Sequence, residues 1–384
     1  MTYDVEKLRA QEFPWTAEGK VTYLNNASIG AMPKRSLDAL NAFNAARAEP
    51  FRLTIEHEWG TLRRAREKVA QLIGATPGEI ALMPNTSYGI NVAALALPLS
   101  RGDVILSPDK EFPANVYPWM ARQRDGVRFE QLPCIGELPD EEALLRELER
   151  PEVRVLAISW VGFAHGYRVD LERLGRACRA NDVYFVVDGI QGLGPLTLDV
   201  KSTPIDIFAN GGQKWLMSPW GTGFMYIRSE RLRELEPAVL GWLAVKGSDD
   251  LTHLTDYELD YRDDARRFEV NTLAAQDYSA LNASIDLMLE LGPANVEAHV
   301  SGILDEAIAW IADRDDLRLV TPSEREHRAG ILAVAPRDPA AAASRLRRAR
   351  VWHSLRESAI RLSPHCWNTT EEVIRALRVM VAEA

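Results

Sequence analysis

Val186-Val187-Asp188-Gly189-Ile190-Gln191, followed after one more apolar run by Gly211-Gly212-Gln213-Lys214-Trp215, is the stretch on which the reading of this chain turns. Tyr184-Phe185-Val186-Val187 is apolar at consecutive positions, as expected of a strand covered by helices on both faces, so the sheet that holds it should be mostly parallel. Ligands of such sheets gather at the carboxyl ends of the strands, and Asp188 stands at one such end. Working outward, short apolar runs bounded by Gly, Pro or Asp recur at 80–84, 103–107, 127–132, 153–160, 183–188, 205–209 and 223–228. Helical periodicity at 36–48, 57–73, 87–97, 139–149 and 170–181 alternates with them. The expectation is an α/β protein with a mostly parallel seven-stranded sheet in a large domain at 21–264, after an N-terminal segment at 1–20. From about 230 to 264 the pattern loosens. Beyond Arg267 it resumes with long helices, a short strand at 317–320 and a last helix from Glu371, which predicts a smaller C-terminal α+β domain at 265–384.

Composition narrows the class. The 384 residues are 46% hydrophobic and 26% charged, the balance of a globular chain. No apolar run approaches the roughly 20 residues of a membrane helix, and Asp4, Glu6, Lys7 and Arg9 crowd the start, so no signal peptide is expected and the location should be cytoplasmic. A formal charge of -10 argues against a general nucleic-acid or anionic-membrane surface and leaves room for a local anion pocket. Cys134, Cys178 and Cys366 are too few and too far apart for a disulfide framework or a metal pair, so no metal is expected. Gly189-Ile190-Gln191-Gly192-Leu193-Gly194 lacks the dinucleotide-binding spacing, and no Walker A loop is present.

What remains is an acid at one strand end and a lysine after the next strand. Pyridoxal phosphate chemistry needs a lysine for the Schiff base, an anion that keeps the pyridine nitrogen protonated, and donors for the phosphate. Thr86 and Ser87, at the start of a helix after the first strand, offer hydroxyls and N–H groups where the helix dipole favours an anion.

These residues, together with Tyr23-Leu24-Asn25-Asn26-Ala27, Asn85-Thr86-Ser87-Tyr88-Gly89-Ile90-Asn91, Gly221-Thr222-Gly223, Arg267-Phe268-Glu269-Val270-Asn271-Thr272 and Arg361-Leu362-Ser363-Pro364-His365-Cys366-Trp367-Asn368-Thr369, resemble the class V aminotransferases of pyridoxal-phosphate fold type I. That group includes cysteine desulfurases, isopenicillin N epimerase-like proteins, kynureninases and carbon-sulfur lyases. The resemblance implies that Lys214 binds the cofactor covalently and moves the substrate α-proton, that Asp188 pairs with the pyridine nitrogen, and that Gln191 approaches the ring oxygen. It also implies that Thr86, Ser87 and Gln213 hold the phosphate, that Phe112 lies on the ring, and that Thr272 reaches the cofactor of a partner subunit in a homodimer. Arg361 would grip the substrate α-carboxylate, a task suited to a planar bidentate donor, with Asn26 and Trp160 as further substrate contacts.

The chain departs from the desulfurases in several places. They carry a cysteine nucleophile on a loop shortly before the carboxylate arginine, whereas 351–360 is short and has none; Cys366 follows Arg361 and reads as structural. Phe112-Pro113 and Gln213 stand where those relatives place histidines. The expected activity is therefore a carbon-sulfur β-lyase acting on an amino acid or S-substituted cysteine conjugate. Aminotransferase or decarboxylating and deaminating activity, epimerisation and, last, cysteine desulfuration are alternatives. A non-catalytic binding protein on the same fold is the reading from another class, and a colourless purified protein would favour it.

Overall fold

The computed structural model describes residues 3–270 and 272–381. Seven strands form the large sheet: β1 (Ile80–Leu82), β2 (Val104–Pro108), β3 (Arg128–Leu132), β4 (Val153–Ser159), β5 (Tyr184–Asp188), β6 (Ile207–Gly211) and β7 (Gly223–Ile227). Their order is β1-β7-β6-β5-β4-β2-β3, and β7 alone runs against its neighbours. The expected mostly parallel α/β sheet is present.

The consecutive apolar residues of β5 divide by the two-residue period of a strand. Phe185 and Val187 enter one core with Leu174 and Cys178 of helix Leu171–Ala180. Tyr184 and Val186 enter a second core with Ile90 and Ala93 of helix Thr86–Ala96. A sheet dry on both faces leaves its strand ends as the place where polar side chains gather, and the ends of β2, β4, β5 and β6 bring Glu111, Ser159, Asp188 and Lys214 to one edge.

A smaller antiparallel sheet of β8 (Leu317–Leu319), β9 (Leu332–Pro336), β10 (Ser354–Arg356) and β11 (Ala359–Leu362) has the order β10-β11-β9-β8. Of these, the sequence pattern predicts only β8. The others are three to five residues long, and the turn from β10 to β11 uses Glu357 and Ser358 at positive φ in place of a glycine. Leu332, Val334, Ile360 and Leu362 face a core closed by helices Pro293–Ala312, Pro339–Arg348 and Thr370–Val381.

Leu8, Phe13 and Leu24 belong to this same core, with the Phe13 ring stacked 5.2 Å from Trp367, and Thr22–Tyr23 pairs in parallel with Val351–Trp352. The N-terminal segment thus packs with the C-terminal domain. Helix Ala275–Leu291 joins the two cores, giving Tyr278, Leu281 and Ile285 to the large one and Leu287 and Met288 to the small one. The division at 264/265 therefore stands as a proposal about chain segments; the packing is continuous across it. Among the described residues no helix is long and apolar enough to cross a membrane.

Candidate active site

Asp188 ends β5 and Lys214 follows β6 by three residues, a placement that adjacency of β5 and β6 makes unavoidable. The Asp188 carboxylate is 3% exposed, and Oδ1 accepts a hydrogen bond from the Ile190 N–H at 3.0 Å. Burial pushes its pKa up to about 6, against the pull of that N–H and of Lys214. Burial likewise pulls the Lys214 ammonium down to about 8; Asp188 opposes this, while Arg361 and Arg356 add to it. A larger fraction of unprotonated amine at neutral pH is the consequence. Lys214 Nζ stands 5.8 Å from the centre of the Phe112 ring, and Phe112 meets Phe163 edge-on at 5.3 Å. Gln191 is bound at both ends of its amide: Nε2 donates to the Ala27 carbonyl at 3.0 Å and Oε1 accepts from Trp215 Nε1 at 2.8 Å. It ties the strand end, the lysine loop and the N-terminal motif together.

A second feature lies where helix Thr86–Ala96 begins. Asn85 caps it, with Oδ1 accepting from the Tyr88 N–H at 2.9 Å. Thr86 Oγ1 is buried without a hydrogen-bond partner among the described residues, and Ser87 is exposed on the first turn. A Cβ on Gly211 would lie 2.5 Å from Gln213 Oε1 and 3.1 Å from Thr86 Oγ1, so the missing side chain opens a small polar cradle between them. Thr86, Ser87 and Gln213 are thus brought to one place, with an orphaned hydroxyl and helix N–H groups suited to a phosphate. Together with a buried carboxylate and a half-buried lysine, these residues fit pyridoxal phosphate.

Arg361, on β11, is 2% exposed. Nη1 donates to the Phe163 carbonyl at 2.6 Å and Nη2 to Ser28 Oγ at 2.7 Å, Nε has no partner, and no carboxylate pairs with the guanidinium among the described residues. Burial pulls its pKa down to about 10, and Arg356 adds to the effect. A buried cation without an anion is costly unless a ligand supplies one. Asn26 is fully buried; Nδ2 donates to the Ser363 carbonyl at 2.8 Å and Oδ1 has no partner among the described residues. Thr272 is exposed.

Trp160 is not brought to this group. Ser159 points to the site edge, so Trp160, one residue on, points away. Its indole packs edge-on against Phe208 at 6.3 Å, and a Cβ on Gly192 would lie 2.2 Å from it. Expected as a substrate contact, Trp160 instead lies buried in the core shared with Phe208 and Leu174.

Two residues were not singled out from sequence. Ser28 holds Arg361. Glu111, next to Phe112, accepts from the Ser159 N–H at 2.8 Å and Ser159 Oγ at 2.5 Å, and desolvation with the nearby Asp188 charge pushes it up to about 7. An acid just past β2 on the ligand edge was the signal available. The cysteines are quiet: Cys178 and Cys366 are buried, their thiols pushed well up by desolvation, and Cys134, whose Sγ donates to the Asp109 carbonyl, is pushed up to about 12. Among the described residues no cluster of His, Cys, Asp and Glu is arranged for a metal.

Residues 22–363 match the family model described as Aminotransferase class-V. Isopenicillin N epimerase of Streptomyces clavuligerus is 30% identical over 92% of this chain and 93% of its own. The cysteine desulfurase CsdA of Escherichia coli is 32% identical over 82% of this chain and 72% of its own. A solved complex of the cystine C-S lyase C-DES with cysteine persulfide superposes with a TM-score of 0.87 at 24% identity, over 96% of this chain and 99% of that one, which speaks for the fold.

Proposed function

This chain belongs to the class V aminotransferase family, whose members are pyridoxal-phosphate enzymes, and from that premise we propose that it is a carbon-sulfur β-lyase acting on an amino acid or S-substituted cysteine. The observation that carries the reading is the meeting of Lys214 and Asp188 at one strand edge with a buried, anion-less Arg361 and no activated thiol.

Pyridoxal phosphate supplies an electron sink for the pair released when the substrate Cα–H bond breaks. Lys214 holds the cofactor and takes that proton at Nζ, which a pKa near 8 allows at neutral pH. Asp188 would supply the anion for the pyridine nitrogen, Phe112 would pack on the ring, and the remaining Gln191 amide hydrogen would be available to the ring oxygen. Thr86, Ser87 and Gln213 hold the phosphate. Arg361, held by Ser28 and Phe163, takes the α-carboxylate, with Asn26 as a further substrate contact, and so fixes which substrate bond faces Lys214. Thr272, exposed on its loop, would reach the cofactor of a second copy in a homodimer.

Desulfuration needs a thiolate that attacks the substrate sulfur, and all three thiols here are held protonated. β-Elimination needs none. Epimerisation and transamination use the same lysine, and likeness to isopenicillin N epimerase keeps the former as the second reading. The test is a screen of amino acids and S-substituted cysteines, with and without an α-keto acid, reading thiol, pyruvate, ammonia and new amino acid separately. Equal thiol and pyruvate without an acceptor is expected. A strict need for the keto acid would replace lyase by transaminase, and inversion alone would replace it by epimerase.

A further inference from the structure

The small sheet has two unlike faces. Leu332, Val334, Ile360 and Leu362 fill the core on one side. Cross-strand partners share a face, and the register pairs Arg361 with Ala333 and with Ser354, Arg356 with Ala359, and Arg318 with Ala335. The opposite face therefore carries three arginines, Arg318, Arg356 and Arg361, separated by alanines and a serine. One more step of the β9–β11 register sets Ala335 beside Ala359, so Arg356 and Arg318 stand at the two ends of a row whose middle is two methyl groups. A trough follows, and Arg318, Arg356, Ala359, Val320 and His165 line it.

The trough neighbours the proposed substrate site, since Arg356 is near enough for its charge to act on both Lys214 and Arg361. Ser354 Oγ bonds Asn25 Oδ1 and Ser28 Oγ at 2.7 and 3.0 Å, and Ser28 holds Arg361. Phe163, whose carbonyl holds the other arm of Arg361, packs on Phe112 below Lys214. Because Arg361 opposes Ser354, Arg356 is its diagonal neighbour, about 7–8 Å away between Cα atoms and within reach of a long side chain. Arg318 and Arg356 are exposed, and neither pairs with a carboxylate among the described residues; Arg356 Nη1 donates only to the Leu355 carbonyl. Two acids, Glu137 and Glu357, line the trough as well; Glu137 is taken by Lys110 at 3.3 Å, and Glu357 sits on the β10–β11 turn with no cation paired to it among the described residues.

We propose that Arg356, with Arg318 across the trough, binds a second anionic group at the far end of the substrate side chain, so that the enzyme selects amino acids or cysteine conjugates carrying a distal carboxylate. The proposal rests on the reading of Arg361 as the α-carboxylate site. Two guanidiniums, Arg361 buried and Arg356 exposed in the trough, would hold a dianionic substrate at both ends, and a neutral side chain of equal length would meet only one.

S-carboxyethylcysteine and S-butylcysteine, similar in length and different in terminal charge, are titrated into the cofactor-loaded protein by absorbance. The wild type should bind the carboxyethyl compound more tightly. Arg356→Ala should weaken it about five- to tenfold and S-butylcysteine less than twofold, Arg356→Lys should restore part of the difference, and Arg318→Ala should act in the same direction. Wild-type protein that binds both probes equally, or neither, overturns the proposal, as does an equal loss for both in Arg356→Ala. Borohydride labelling on the same preparation separates the two readings. Label away from Lys214 removes the site assignment and this inference with it. Label on Lys214 with no charge discrimination removes only the inference.

Discussion

Lys214 and Arg361 are the two cations at the centre of this molecule, and their surroundings differ in kind. Lys214 lies at the strand edge of the large sheet with Asp188 supplying opposite charge from the next strand end. Arg361 is more deeply buried, on the small sheet, and is held only by a carbonyl and a hydroxyl. The first region is electrostatically complete as folded. The second lacks an anion, and the face around it holds two more arginines in the same condition. On the proposed function, the large sheet holds chemistry that is always resident, and the small sheet receives something negative that comes and goes.

The sharpest way to break that contrast is Lys214→Ala. Loss of a group that both holds the cofactor and moves the proton should lower turnover by at least about a thousandfold, and borohydride should then fix no cofactor to the chain. Substantial residual turnover in steady-state assays would mean that the resident chemistry sits elsewhere.

Arg361→Ala tests the other side. Truncating one partner of a desolvated charge pair costs about 2 to 5 kcal/mol, so amino-acid affinity should fall by well over tenfold while cofactor content stays at the wild-type level. Parallel loss of both, read by absorbance and titration, would show that the two regions are not separable.

A smaller effect concerns pH. Asp188 titrates near 6 in the folded chain against an ordinary value of 3.8, so between those values the native state binds more protons than the unfolded one. The stability it contributes is full below about pH 4 and is lost as pH rises through 6. Cofactor-free Asp188→Asn should therefore lose less Tm than the wild type over that interval, or gain more. Identical slopes for the two proteins in thermal scans would remove the carboxylate's shift. Bound cofactor should reverse the sign by giving Asp188 a cationic partner.

The smallest expected effect is that of replacing Cys134, Cys178 and Cys366 together by alanine or serine. Sulfur release should stay within about twofold of wild type after allowance for altered packing of the buried thiols. Its abolition in a folded, yellow protein would place a thiolate in the mechanism and return desulfuration to first place.

The sequence by itself determined what local physics writes into short windows. Consecutive apolar residues at 184–187 meant a strand dry on both faces, and the acid after it and the lysine after the next strand meant a polar edge, because strand ends are where a doubly covered sheet admits polar groups. Lys214 and the helix start at Thr86 were legible from such local rules, whereas Arg361, inside a strand of the small sheet, stood out only through the resemblance to the class V aminotransferases. What only the tertiary structure decided was who faces whom. Ser28 and Phe163, 333 and 198 positions from Arg361, hold its guanidinium; nothing in either window announces that. Trp160 pointed into the core because pleating sends adjacent residues to opposite faces, and only the hydrogen bonds of Ser159 to Glu111 show which face is the site. The N-terminal helix joined the C-terminal core, and strands of three to five residues lined up three arginines on one face. Periodicity is a property of neighbours along the chain, whereas a site is a property of neighbours in space, and packing alone converts one into the other.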